Sequence, residues 1–529
     1  MSVADEFGAA AASARAPDSP NPWLIAVVVS VATFMEVLDT TIANVALPYI
    51  AGGLAVSPDE ATWVVTTYLV SNAVILTASS HLAKALGRKQ FFLICLALFT
   101  ASSIFCGFAW DIRSLLFFRI LRGLGGGGMV PVSQSILADA FPPEKRGQGF
   151  ALFGIAVMVA PVIGPTLGGW LSDNYSWHWC FLINGPIGLM SMAMVAVVLR
   201  EPENRPAAPP FDLIGFVLVS TFLGALEVVL DRGQREDWFG SNFIVGFASL
   251  SGVALALMIP WEATRQNPVV DIRMLATRQF GACFLVMMAV GAVLIATTQI
   301  LPQLLQLSFG YTATLAGLVL SPGGVVTMAM MIVVGRLSGR VQPKYLIMAG
   351  AAVVALSIYS LTSLYGALDF WYFARTRIYI GIGLPLIFIP ITTASYQGLP
   401  PEKTDQASAL INVARNVGGS IGVSLAQNVL AHREQFHLNR LAENTIPSNI
   451  QYQEALRRAT DHFLALGGTA SEARRQAIIW IGRQMQTQAS YLAYIDVFYA
   501  LTLVAAIIIP LALLLRRVHL GAQTSTPAH

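Results

Sequence analysis

The stretch WLIAVVVSVATFMEVLDTTIANVAL, Trp23 to Leu47, is long and apolar, yet it carries two acids, Glu36 and Asp39, near its middle. Crossing the ~30 Å hydrocarbon core of a bilayer takes about 20 mainly apolar residues. An ionisable side chain at that depth costs roughly 2.5–3.5 kcal/mol on insertion scales, so its presence points to function. Three residues apart on a helix, the two carboxylates project from nearly one face. Desolvated together, they resist ionising at the same time, which suits one of them to take up and release a proton. A permanent ion pair with buried arginines is the plainer alternative that the pattern leaves open.

The rest of the chain supports a membrane setting. Of 529 residues, 55% are hydrophobic and only 12% charged, with a mean hydropathy of +0.64. A soluble chain carries about 25% charged residues, so most of this surface faces lipid. A net charge of +3 on scattered basic residues gives no reason to expect nucleic acid. Residues 1–22 are polar and Ala/Pro/Ser-rich, without the apolar core of a cleavable signal peptide. Cys95, Cys106, Cys180 and Cys283 all fall in or beside apolar spans and read as packing residues.

Windows of spanning length recur fourteen times: 23–47, 61–80, 91–109, 114–139, 148–171, 179–199, 212–230, 243–261, 279–305, 313–335, 345–364, 371–397, 405–431 and 494–516. Basic residues concentrate in alternate connections, among them Arg15, Lys84, Arg88, Lys89, Lys145, Arg146, Arg200, Arg205, Lys403, Arg516 and Arg517. The short connections on the other side hold only Arg113, Arg232 and Arg235, which predicts cytoplasmic termini. The long connection 432–493 then lies outside, with helices expected over 449–465 and about 470–488. The second opens on a capping box, Thr469 and Glu472.

The chain also repeats itself. RILRGLG (119–125) lines up with RIYIGIG (377–383), and FPPEKR (141–146) with LPPEKT (399–404), both at a spacing of about 258 residues. Two six-helix halves with an inserted pair of helices between them account for all fourteen spans. Duplicated halves around a midplane site are the plan of secondary transporters. The expected divisions are a tail (1–22), a first half (23–199), a linker with two extra spans (200–278), a second half (279–516) and a tail (517–529). No acid in the ninth span matches Glu36 or Asp39.

Four ordered motifs resemble the fourteen-helix drug:proton antiporters of the major facilitator superfamily, of the EmrB/QacA type. They are Leu38–Pro48 (LDTTIANVALP); Leu115, Arg119, Arg122 and Gly123 in span four; Gly164–Gly169 (GPTLGG) in span five; and Trp177–Pro186 (WHWCFLINGP). The family usually has Gln where Arg122 stands. After span two it usually has an acid where this chain has Lys84, which leaves that family latch between the halves in doubt. The resemblance implies an all-α polytopic major facilitator fold in the inner membrane, driven by the proton gradient with no cofactor. It also implies a periplasmic membrane-fusion adaptor and an outer-membrane channel as partners.

Within this frame Asp39 or Glu36 is expected to pair with Arg119 or Arg122 when ionised and to release it when protonated. Gly164, Gly168 and Gly169 present a nearly side-chain-free face for close helix approach, beside the bend-prone Pro165. In the family that motif makes a tight contact between halves and is associated with antiport. Asn44, Gln134, Gln299, Gln303 and Asn412 are the polar residues expected to line a cavity for small amphipathic substrates. Glu227 reads either as a second titrating group or as a residue of the outer interface. Arg375, Arg377 and Arg415 are further cations at membrane depth without an assigned role. The run GLGGGG (123–128) lacks the Lys-Ser/Thr of a phosphate loop and reads as close helix packing. The expected activity is proton-coupled export of toxic amphipathic or aromatic compounds, or export of one endogenous metabolite or siderophore. A haem enzyme is a poor alternative, because all seven histidines fall in predicted loops, tails or span borders.

Overall fold

Helices dominate because the sequence must satisfy its backbone hydrogen bonds without water, and a continuous α-helix does so within one segment. The computed structural model describes residues 21–142, 145–201, 210–366 and 368–516. The predicted tails, apart from residues 21–22, and the basic residues Arg15, Arg205 and Arg517 lie outside the described residues. The first half comprises α1 (Pro22–Gly53), α2 (Pro58–Leu86), α3 (Arg88–Cys106), α4 (Ile112–Gly126), α5 (Met129–Ala140), α6 (Arg146–Asn174), the short α7 (Trp179–Leu182) and α8 (Asn184–Val198). The inserted pair is α9 (Leu213–Arg232) and α10 (Asn242–Thr264). A short α11 (Arg273–Ala276) leads into α12 (Arg278–Ser308), α13 (Ala313–Leu337), α14 (Pro343–Ser360), α15 (Phe370–Ser395), α16 (Thr404–Ala442), α17 (Ile450–Ala465) and α18 (Ala470–Leu513).

Helix starts are written locally. Ser57 caps α2, accepting from the Glu60 amide at 3.2 Å while Glu60 accepts from the Ser57 amide at 3.0 Å. Asp111 caps α4, accepting from the Ser114 amide at 2.8 Å, and its bonds from Ser114 hold the carboxyl below the usual range. Gly87, at φ +89°, makes the tight joint between α2 and α3 that its place in the basic loop predicts.

Among the described residues, thirteen helices are long and apolar enough to cross a membrane, against fourteen spans read from the sequence. The difference is α16, which covers the predicted span 405–431 but carries Asp405, Gln406, Asn412, Arg415 and Asn416 through the bundle. The predicted break between the outer loop and the last span is absent. Residues 470–513 form one helix of 44 residues, and α16 likewise runs on for 39 residues to Ala442. At 1.5 Å per residue they are about 66 and 58 Å long, so both project well past a bilayer. With α17 they form a helical projection on the face opposite the one where α1 begins and α18 ends.

The pairings of the first half recur in the second. The contacts α1 with α6, α2 with α4, α3 with α4, and α3 with α8 have counterparts in α12 with α16, α13 with α15, α14 with α15, and α14 with α18. The seam between the two groups is made by α6 against α13 and α15, and by α16 against α2 and α5. Of the inserted pair, α9 lies on the outside of that seam, touching both α2 and α16.

Candidate functional site

A glycine run brings the arginines of α4 into the first half. A Cβ at Gly123 would lie 2.6 Å from the Tyr68 carbonyl oxygen of α2, and one at Gly125 2.6 Å from the Phe99 amide nitrogen of α3. With no side chains to hold the backbones apart, α4 sits tightly between them and points Arg119 and Arg122 at α1. Arg119 Nη1 donates to Asp39 Oδ2 at 3.0 Å, and Arg122 Nη2 lies 2.5 Å from Asp39 Oδ1. All three side chains have no solvent exposure.

Two cations on one carboxylate leave an excess of positive charge, and aromatic faces take the place of water around it. The Arg119 guanidinium lies 4.6 Å over the Tyr68 ring and Arg122 4.5 Å over Phe99, with Phe181 within 5.7 Å of both. Cation–π contacts of this kind strengthen when desolvated. Arg119 also donates from Nε to the Val64 carbonyl at 2.8 Å. Of the partnerships open to the span-one acids, the structure selects Asp39 with both arginines.

Glu36 is not part of this clamp. Its Oε1 accepts from Asn72 Nδ2 of α2 at 3.2 Å, and its Oε2 is buried without a hydrogen-bond partner among the described residues. The cation within its electrostatic reach is Arg415 of α16, across the seam, whose Nη1 is also buried and unpartnered among the described residues. Although Glu36 and Asp39 share a helix face, one turns into its own half and the other toward the second half.

Polar bonds between the halves gather toward the face where α1 begins. Ser135 Oγ donates to Ser408 Oγ at 2.9 Å, and Asn412 Nδ2 to Gln134 Oε1 at 2.7 Å. Phe150 stacks on Tyr396 with centroids 5.6 Å apart. Arg88 bonds Asp139 of its own half and, from Nε at 2.9 Å, Asp405 at the start of α16. Where Lys84 replaces the family's acid, an ion pair still joins the halves, with Arg88 from the first half and Asp405 from the second.

The glycine face of α6 meets a different neighbour from the one the family pattern implies. A Cβ at Gly168 would stand 3.2 Å from Ile42 Cα, and one at Gly164 would overlap the Thr41 side chain, both on α1 of the same half. The contact between halves is made by residues two positions away on the helix. Thr166 meets Gly317, and Val162 meets Gly324, on α13. Helical periodicity explains the correction, because positions 164 and 168 share one face while 162 and 166 share another. Gly169 is buried with them, and Pro165 lies inside an uninterrupted α6.

Of the five expected polar lining residues, Gln134 and Asn412 bond each other within the seam, Gln303 bonds Gln427 at 2.8 Å, and Asn44 and Gln299 are exposed. Tyr68, Asn72, Phe99 and Asp405 belong to the site without having been singled out in the sequence, and Phe181 stood there only as part of the Trp177–Pro186 motif. Only Asp405 left a signal, as an acid opening a span opposite the basic 84–89 loop.

The second half keeps the frame of the Asp39 clamp without its acid. Arg377 of α15, buried, donates from Nη1 to Thr297 Oγ1 of α12 at 3.4 Å. Each arginine stands 80 residues after its partner, the same spacing as Arg119 from Asp39.

Residues 29–423 match the model of the Major Facilitator Superfamily. The chain is 38% identical over 427 residues to the Multidrug export protein EmrB of Haemophilus influenzae, covering 80% of this chain and 84% of that protein. It is 35% identical to the Multidrug export protein EmrB of Escherichia coli, over 90% of this chain and 92% of the relative. The Fatty acid resistance protein FarB of Neisseria gonorrhoeae is 35% identical over 83% of this chain and 86% of its own length. Among solved structures, the human organic anion transporter MFSD10 (TETRAN) superposes with a TM-score of 0.55 at 12% identity, over 92% of this chain and 100% of that one. A bacterial homologue of the lysosomal transporter Spinster gives 0.52 at 15% identity, over 94% and 97%.

Proposed function

This chain belongs to the major facilitator superfamily, and on that footing we propose that it exports amphipathic or aromatic toxic compounds in exchange for protons. The observation that carries the reading is the water-free clamp of Asp39 between Arg119 and Arg122. An ionised Asp39 holds α1 to α4. A protonated one gives up both cations and lets α1 shift, so proton occupancy biases two arrangements of the bundle. Glu36 and Arg415, each with a free polar atom on opposite sides of the seam, are placed to meet the polar group of a substrate.

The basic connections put both chain ends in the cytoplasm of a bacterial inner membrane, as the positive-inside bias favours. In that orientation the seam bonds Ser135–Ser408, Gln134–Asn412 and Arg88–Asp405 close the cytoplasmic side. The projection of α16, α17 and α18 then stands in the periplasm and exposes Ile446, Ile450, Leu466, Ile479 and Trp480. Such a surface suits docking of a periplasmic adaptor that hands substrate to an outer-membrane channel.

The test is efflux of a fluorescent amphipathic dye from proteoliposomes under an imposed pH gradient, comparing wild type with Asp39→Asn and Glu36→Gln. Proton-driven efflux unchanged in both variants would sink the coupling. Loss of drug export in cells, with proteoliposome efflux intact, is the expected result of replacing Ile479 and Trp480 by polar residues.

A further inference from the structure

The inserted helix α9 carries a buried acid, Glu227, that the clamp and the seam do not use. Its Oε1 accepts a hydrogen bond from Ser420 Oγ of α16 at 2.6 Å. One turn further along, Asp231 accepts from Thr66 of α2. Arg232 donates to the Asp59 carbonyl at 3.2 Å and to Thr62 Oγ1 at 2.6 Å, with its guanidinium 4.6 Å over the Trp63 ring, all on α2. The apolar side of α9 around Val219 and Leu223 packs on Ala73 of α2 and on Val413 and Val417 of α16.

The attachment is unequal. Two charged residues, with apolar contact of Gly224 against Val70 and Val74, fasten α9 to the first half, whereas one carboxylate–hydroxyl bond and smooth apolar contact join it to the second. When the halves rock, the motion across this side of the seam falls on Glu227 and Ser420. Apolar side chains slide over each other with little directional preference, but an ionised carboxylate away from water cannot leave its donor without another. A protonated carboxyl carries no net charge and can.

We propose that Glu227 is a second proton-binding site, whose occupancy decides whether the inserted helix pair is fastened to α16 or free to move along it. The inference rests on the alternating-access reading and adds to the exchange a proton site outside the family motifs. The charged groups around it are few. Asp231 lies on the same helix, flanked by Arg232 and Arg235; α2 presents Thr66; and α16 presents Ser420, with its Arg415 directed toward Glu36. No cation of the described residues forms an ion pair with Glu227, so a proton is the counter-charge the site accepts.

The experiment measures distances between spin labels in purified protein without substrate or gradient, with the four buried native cysteines replaced by alanine. Phe239 is exposed on the short turn (Trp238–Gly240) that joins α9 to α10, so labels at Phe239→Cys and Gln435→Cys report the inserted pair against α16, and labels at Asp59→Cys and Phe239→Cys report it against α2. Acidification is expected to add a longer population to the first pair and leave the second unchanged. Glu227→Gln is expected to show that longer population at every pH, and Ser420→Ala to show it at neutral pH. In Asp39→Asn the pH response of the first pair is expected to persist. A wild-type distance that ignores pH, a response that survives in Glu227→Gln, or one that disappears in Asp39→Asn overturns the proposal. Dye efflux in Asp39→Asn tests the coupling itself, so the two failures are told apart.

Discussion

Thr297 stands to Arg377 as Asp39 stands to Arg119: on the corresponding helices, α12 with α15 as α1 with α4, at the same 80-residue spacing, with a hydroxyl where the first half has a carboxylate. The duplicated frame therefore carries an ionisable partner for its arginine in one copy only. A hydroxyl donates or accepts a hydrogen bond but does not change charge at physiological pH, so Arg377 has no proton-dependent partner in this pair.

That asymmetry predicts different outcomes for matched substitutions. Asp39→Asn is expected to abolish proton-driven dye efflux, while Thr297→Val leaves it proton-driven. Removing one partner of a buried ion pair costs about 3–5 kcal/mol, so Arg119→Gln is expected to lower the thermal midpoint far more than Thr297→Val. Fluorescence-detected unfolding in detergent measures both.

Arg122 adds a second cation to Asp39 at 2.5 Å. Replacing it with Gln removes positive potential that favours the ionised carboxylate. Arg119 alone then holds the carboxylate, and proton-driven dye efflux is expected to fall about tenfold, equivalent to about 1.4 kcal/mol. Efflux rates of Arg122→Gln and wild type under one imposed pH gradient read the loss, and unchanged efflux would contradict a role for the second cation.

The α1–α6 contact depends on Gly164 having no side chain. Gly164→Ala forces a methyl into Thr41 and is expected to cost about 1–3 kcal/mol of stability, as overpacking does in other cores. Thr41→Ala in the same protein removes the hydroxyl but leaves a Cβ 2.7 Å from the new methyl, so it is expected to restore part of the loss. Thr41 gives up only its 2.8 Å bond to the Leu38 carbonyl. Failure of the double variant to recover would place the role of Gly164 elsewhere.

Ser135 and Ser408 offer a direct handle on the seam. Their hydroxyl oxygens are 2.9 Å apart on opposite halves, so paired cysteines there can close into a disulfide. Oxidation of Ser135→Cys/Ser408→Cys is expected to stop transport by at least tenfold, about 1.4 kcal/mol in any equilibrium it freezes, and dithiothreitol to restore it. Transport that continues with the cross-link formed would exclude separation of α5 from α16 during the cycle.

Much of the fold was legible because lipid allows few arrangements: apolar length gave the helices, basic connections gave an expected orientation, and the 258-residue echo gave the pairing that recurs. The arginine clamp was half legible. Arg119 and Arg122 stood out as cations at membrane depth, but three-residue spacing could not say that Glu36 would part from Asp39. A turn of about 60° between them on the helix is enough to aim one at α4 and the other at the seam. Gly164 and Gly168 announced a close approach without naming the helix that approaches. Gln134 and Asn412 read as cavity residues because polarity in a span has several uses, and here they bond each other. The long helices were missed for a simpler reason. Hydropathy ends where lipid ends, whereas the Ala-, Gln- and Arg-rich segments beyond it remain good helix formers.

The uninterrupted run of α16 has a mechanical consequence. Asp405, Ser408, Asn412, Arg415 and Ser420 lie on the same rod that reaches Ala442 in the projection. A rigid rod about 58 Å long turns a tilt of about 10° at its base into a displacement of about 10 Å at its tip. Under the alternating-access cycle proposed above, any tilt of this helix at the seam is carried to its far end, so that whatever rests there is displaced with it.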